Sequence, residues 1–194
     1  DLWKKYGEAA CREKTAGCEK NEEILYNAAR AYQAARLMAK AIGVRKLLID
    51  PQYNLQRTEP ARKAMYEIGA NYQAIASYDD AATYYERFAA ENPTMAKAPE
   101  ALQDAIVLRL GLGQEKQAID DAELFGKSYG AQKPGLSARV AFAIGAHYSE
   151  KGDFASARKR LADAMPNIDR HAPLDVQVQA HALLGRAYDR LHNG

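Results

Sequence analysis

Two cysteines, four histidines and two paired aspartates are the residues here whose types could carry chemistry. Cys11 and Cys18 stand seven apart in the stretch CREKTAGC. No histidine lies near them, so a zinc site would lack two ligands. The spacing is not the C-x-x-C of a redox dithiol. On one unbroken helix the two thiols would share a face about 10 Å apart, too far for a disulfide. Thr15-Ala16-Gly17, however, is a poor helix interior, and Gly17 suits a left-handed cap. A helix over about Leu2 to Lys14 that ends there would let Cys18 turn back toward Cys11. The expectation is a Cys11–Cys18 disulfide in an oxidising compartment such as the bacterial periplasm. Two free thiols and a cytoplasmic site are the alternative.

The remaining candidates read as structure. His147, His171, His181 and His192 are expected to be structural, with His181 at a helix-packing position. Asp79-Asp80 and Asp120-Asp121 occur beside recurring alanines, and are expected at equivalent, solvated places on two helices rather than as an acid with its base. Gly111-Leu112-Gly113 lacks the lysine-serine and the preceding strand of a phosphate loop. No catalytic residue, metal or cofactor is expected, and the chain is not expected to be an enzyme.

These residues must be held by helices. The chain has 194 residues, 47% of them hydrophobic and much of that alanine, with few β-branched residues. Its 27 basic and 25 acidic side chains nearly cancel, which gives no overall pull toward nucleic acid or an anionic membrane. The run Arg158-Lys159-Arg160 reads as a solvated helix face. No stretch approaches the roughly 20 apolar residues of a membrane span. Both ends fall inside helical pattern, so the chain is read as a segment of something longer, with any export signal outside it. Leu2, Trp3 and Tyr6 form an apolar stripe expected on a capping helix.

A repeat is visible. Ala29-Arg30-Ala31-Tyr32, Gly69-Ala70-Asn71-Tyr72, Gly145-Ala146-His147-Tyr148 and Gly185-Arg186-Ala187-Tyr188 align, their tyrosines 40, 76 and 40 residues apart. Ala41, Ala81, Ala118 and Ala157 form a second register, followed four and seven residues later by Arg45 and Leu48, Tyr85 and Phe88, Ala122 and Phe125, Leu161 and Ala164. The small residue lets the second helix of a hairpin approach the first, and the tyrosine three on fills the gap beside it. Turns are expected at Ser77-Tyr78-Asp79, Gly111-Leu112-Gly113 and Lys151-Gly152-Asp153. Pro51, Pro93, Pro134 and Pro166 are expected to stop second helices, while Pro60, Pro99 and Pro173 sit near helix starts.

These residues resemble the tetratricopeptide repeat (TPR) family. The best match is Met65 to Pro93, MYEIGANYQAIASYDDAATYYERFAAENP, with Gly69, Tyr72, Ala81, Tyr85 and Pro93 on the family pattern. Three departures stand out. Ile106 and Arg109 replace glycine and tyrosine in the third unit, Arg45 replaces an apolar residue in the first, and the period is longer than the family's usual 34. The long period resembles divergent bacterial envelope-type repeats. The resemblance implies an all-α, right-handed α-solenoid of stacked antiparallel hairpins. Residues 1–21 would form the capping helix with the Cys11/Cys18 turn. Four repeats (22–60, 61–97, 98–136, 137–172) and the first helix of a fifth (173–194) would follow.

The resemblance also implies where a partner would lie. Groove-facing positions of first helices carry Tyr26, Arg30, Gln33, Lys63, Tyr66, Gln73, Gln103, Arg139, Phe142 and Arg186. Such a groove is aromatic and amide-rich, suited to an extended peptide. The alternative that Tyr26, Tyr66 and Phe142 pack between repeats stays open. The basic clamp of heat-shock co-chaperones is disfavoured, because its matching places carry Tyr26 and Arg30, then Glu67, then Glu100 and Asp104. The expected function is a non-catalytic scaffold that binds a protein or peptide in a bacterial envelope or motility complex. The alternatives are a recruiting or dimerising arm of a larger enzyme, and a cytosolic adaptor with reduced thiols.

Overall fold

Alanines 41, 81, 118 and 157 are all fully buried, as is Ala29, so the helices meet where small side chains recur. The computed structural model describes residues 21–192. In chain order the helices are α1 (Asn21–Ala34), α2 (Met38–Ile49), α3 (Glu59–Ala74), α4 (Tyr78–Glu91), α5 (Ala98–Gly111), α6 (Glu115–Tyr129), α7 (Pro134–Glu150), α8 (Phe154–His171) and α9 (Leu174–His192), with a 3-10 turn at Pro51–Tyr53. All regular structure among the described residues is helical. The expected disulfide of Cys11 and Cys18 and the stripe of Leu2, Trp3 and Tyr6 lie outside the described residues.

The chain divides into two compact units after Ala101, within α5. In the first, α1 packs on α2, α2 on α3 and α3 on α4, while the first helices α1 and α3 also touch. Its core runs through Leu25, Ile42, Leu48, Met65, Ile68, Tyr85 and Phe88. In the second unit α6 packs on α7, α7 on α8 and α8 on α9, and α7 touches α9. There Ala138, Leu161, Met165, Ile168, Ala172 and Ala180 form one buried cluster.

Each hairpin closes through the same turn. The N–H of Leu37 donates to the Tyr32 carbonyl (2.9 Å) and that of Arg36 to Gln33 (3.0 Å). Ser77 and Ala76 repeat this on Tyr72 and Gln73, Gln114 and Gly113 on Arg109 and Leu110, Asp153 and Gly152 on Tyr148 and Ser149. This is the Schellman pattern, which requires one left-handed residue. That place is held by Arg36 (φ 61), Ala76 (φ 60), Gly113 (φ 74) and Gly152 (φ 78). In three of the four turns the recurring tyrosine thus supplies the carbonyl that caps its own helix, and in the third hairpin Arg109 does.

Four expectations are corrected. The second turn ends at Ser77, and Tyr78 and Asp79 already belong to α4. Pro166 does not stop α8, which runs on to His171. Its ring removes one N–H donor, but Met165 and Ile168 on the same turn are core residues, and Asn167 Nδ2 donates to the Pro134 carbonyl at 3.2 Å. The aspartate pairs are not equivalent, since Asp79-Asp80 open α4 while Asp120-Asp121 sit in the second turn of α6. His181 does not pack. It is exposed, 2.8 Å from Asp169 Oδ1, and Ala180 beside it is the buried residue.

Candidate functional site

The departure at Arg45 is the centre of the first unit's polar architecture. Where the other hairpins place Tyr85 and Leu161, α2 places a guanidinium whose side chain is fully buried. A buried charge needs partners on every donor. Arg45 finds them on two first helices: Nε donates to Glu67 Oε2 at 2.8 Å, one terminal nitrogen to Asn71 Oδ1 at 2.6 Å, the other to Gln33 Oε1 at 2.7 Å. That last nitrogen also lies 2.7 Å from Glu67 Oε2. Asn71 in turn donates to the Met38 sulfur at 3.6 Å. Tyr26 donates its hydroxyl to Glu67 Oε1 at 3.0 Å. Burial, then this bond to a carboxylate, raise the Tyr26 pKa. Both oxygens of Glu67 are engaged, which suits a fixed charge and not a general base.

Above this network α1, α2 and α3 leave a cleft of about 420 Å³ with Arg30, Gln33, Arg36, Met38, Arg45 and Glu67 on its walls. The structure therefore brings Tyr26, Arg30 and Gln33 of the expected groove together around residues the sequence did not single out as a site. Lys63 is exposed one turn from Glu67 and pairs with Glu59 at 2.6 Å. Tyr66 lies half-buried with its ring 5.5 Å from those of Tyr85 and Phe88, and Gln73 accepts from the Tyr85 hydroxyl at 2.8 Å.

In the second unit Arg139 and Arg186 are exposed and Gln103 is half-buried, while Phe142 packs on the Leu161 cluster. A separate hub joins α6 to α7. Glu115 accepts from Lys151 Nζ (2.5 Å) and the Tyr148 hydroxyl (2.9 Å), with His147 Nε2 at 3.3 Å. The lysine bond first, then those of Tyr148 and His147, lower the Glu115 pKa to about 2.

Sequence reasoning treated Arg45 only as a departure and Glu67 only as a wrong charge for a clamp, and it passed over Asn71 and Arg36. The available signal was the register itself: a charge at a core position, with an acid and an amide one helix turn apart on the next first helix. Among the described residues no group of three or more histidine, cysteine, aspartate or glutamate side chains could hold a metal, and no helix is long and apolar enough to cross a membrane.

No protein-family model matches the sequence, and no curated protein matches it significantly. Solved structures do. The nearly identical TPR-like repeats of a candidate kinesin light chain from Podosopora anserina superpose with a TM-score of 0.58 at 14% identity, over 88% of this chain and 87% of that one. A single-substitution variant of that protein gives 0.60 at 14% identity, over 90% and 89%. At this identity the likeness is one of fold: the chain is an all-α, TPR-like array of helical hairpins.

Proposed function

We propose that this chain is a non-catalytic scaffold that binds an extended peptide or protein segment on the exposed faces of its first helices. TPR-like repeats generally serve protein–protein contact, and stacked hairpins present such faces side by side. The observation that carries the reading is in the first unit, where Tyr26, Arg30, Gln33, Tyr66 and Gln73 stay wholly or partly accessible on α1 and α3 while the opposite faces are core. In the second unit, taken by itself, Arg139 and Arg186 are exposed and Gln103 is half-buried, so these first-helix positions are accessible there too. The context we favour is a bacterial cell-envelope or motility assembly, on the grounds of the long repeat period and of the disulfide expected between Cys11 and Cys18.

Photo-crosslinking tests the surface. An unnatural photoreactive side chain at Arg30, Gln73 or Arg139 should trap partner from native extract, whereas one at Lys116 or Lys159 should not. Equal trapping from both sets would overturn the assignment. Intact-mass measurement after alkylation, with and without reductant, tests the compartment. Two alkylated thiols without reductant would remove the argument for an oxidising site.

A further inference from the structure

We infer that a pocket between α6 and α7 binds a free apolar α-amino acid as its zwitterion. The side chain would sit inside, with Arg160 and Glu123 holding the carboxylate and the ammonium at the rim. The pocket lies within the second unit and measures about 210 Å³. It has a cause in the repeat. Where other second helices carry Arg45, Tyr85 and Leu161, α6 carries Ala122. One turn on stands Gly126, and among the described residues nothing lies within 4 Å of a Cβ added there. Ala141 of α7 is the third small residue on this pocket. The space they leave is walled with carbon by Ile119, Phe125, Val140 and Ile144. Val140 and Ile144 lie across α7 from Phe142, which packs on the Leu161 cluster. The pocket is thus separate from the surface proposed above, and neither reading depends on the other.

Size and charge together select the ligand. An apolar cavity of about 150 Å³ holds benzene, while pockets for drug-sized ligands begin near about 300 Å³. The volume between suits a body such as that of leucine, methionine or phenylalanine. Three polar residues complete the lining: Arg160 of α8, Glu123 of α6 and Ser137 of α7. Among the described residues no hydrogen bond or ion pair engages the Arg160 guanidinium or the Ser137 hydroxyl. Glu123 has only a distant partner, Lys127 Nζ at 3.9 Å, and both are exposed. Charges of both signs at the mouth of an apolar pocket match a zwitterion, whose two charges sit on the carbon that bears the side chain. A fatty acid would be repelled by Glu123, and an apolar amine by Arg160. The interior of a peptide offers neither charge beside its side chain. Arg160 can pair both carboxylate oxygens at once. A ligand so held touches α6, α7 and α8 together, and fastens the third hairpin to the fourth.

The test is isothermal titration calorimetry of the full chain with L-leucine, L-methionine, L-phenylalanine and glycine. At least one of the first three should bind, and glycine, which has no apolar body, should not. For the tightest binder, the N-acetyl derivative lacks the ammonium and the amide lacks the carboxylate. Each should bind about tenfold more weakly. Arg160→Gln and Glu123→Gln should weaken binding by a similar factor, and both side chains are exposed, so the fold is kept. Ala122→Leu fills the pocket and should abolish binding while leaving the melting temperature equal or higher, which a loss of structure cannot produce. If that variant does not fold, the two rim variants decide. No binding of any of the three amino acids, equal binding of the N-acetyl or amide derivative, or unchanged affinity in a folded variant would overturn the inference.

Discussion

A Cβ built on Gly69 would stand 2.8 Å from two carbons of the Tyr85 ring. The two residues are sixteen apart, on the first and second helices of one hairpin. Gly145 and Leu161 repeat the relationship at 2.5 Å, and Ala29 faces the same offset to Arg45. In the third hairpin the sizes are exchanged, with a fully buried Ile106 at the small place and Ala122 at the large one.

Gly69→Ala should therefore destabilise the chain by about 1–3 kcal/mol, because the ring behind it is held by core and has nowhere to go. Gly185 is the contrast. Among the described residues nothing lies within 4 Å of its added Cβ, so Gly185→Ala should stabilise by up to about 1 kcal/mol through helix propensity. Urea midpoints of the two variants check both signs.

The turns give a prediction of opposite sign for the same exchange of residue types. Ala76 sits at φ 60, so Ala76→Gly should raise stability by about 0.5–1 kcal/mol, strain relief exceeding the added chain entropy. Gly152→Ala should lower it by about 1 kcal/mol. Thermal unfolding of the pair would show it.

Glu67→Ala would leave the buried Arg45 guanidinium without its counter-charge, and about 3–5 kcal/mol should be lost. Adding Arg45→Met should restore much of that, since the lone charge is then gone. A double-mutant cycle by denaturant unfolding reads the coupling; additive losses would contradict the network.

Glu115 sets an acid limit. Its pKa falls from 4.5 to about 2 in the folded chain, so the folded state holds the proton less tightly than the unfolded one. The stabilisation is present above about 4.5 and disappears as pH falls toward 2. Glu115→Gln should flatten the stability curve across that window while reducing stability at neutral pH. Chemical denaturation at a series of pH values measures both.

The recurrence of small and large residues makes the hairpins legible in the sequence, because close helix approach leaves a mark in residue size. Three of the four turns are legible too, two through glycine and one with its end set two residues late, while the turn at Arg36 carries no glycine and is not read from the sequence. Pro166 misled because a local rule about one missing N–H was outweighed by core residues on either side. The site was half legible. First-helix positions such as Tyr26 and Gln33 follow from the repeat, but their engagement with Arg45 depends on which helix packs next. That is long-range information which periodicity within one hairpin does not contain. The capping segment with Cys11 and Cys18 remains an expectation from sequence.

Arg45 also bears on how the array could be rearranged. Repeat proteins are commonly lengthened by copying or inserting a hairpin, since each unit meets only its neighbours. Here the first hairpin carries a lock whose key, Glu67 with Asn71, is cut on the second. A generic hairpin inserted between them would present the guanidinium with apolar surface. Splicing after α4, beyond the key, leaves the pair intact. The first two hairpins are thus a single heritable cassette, to be copied or moved together.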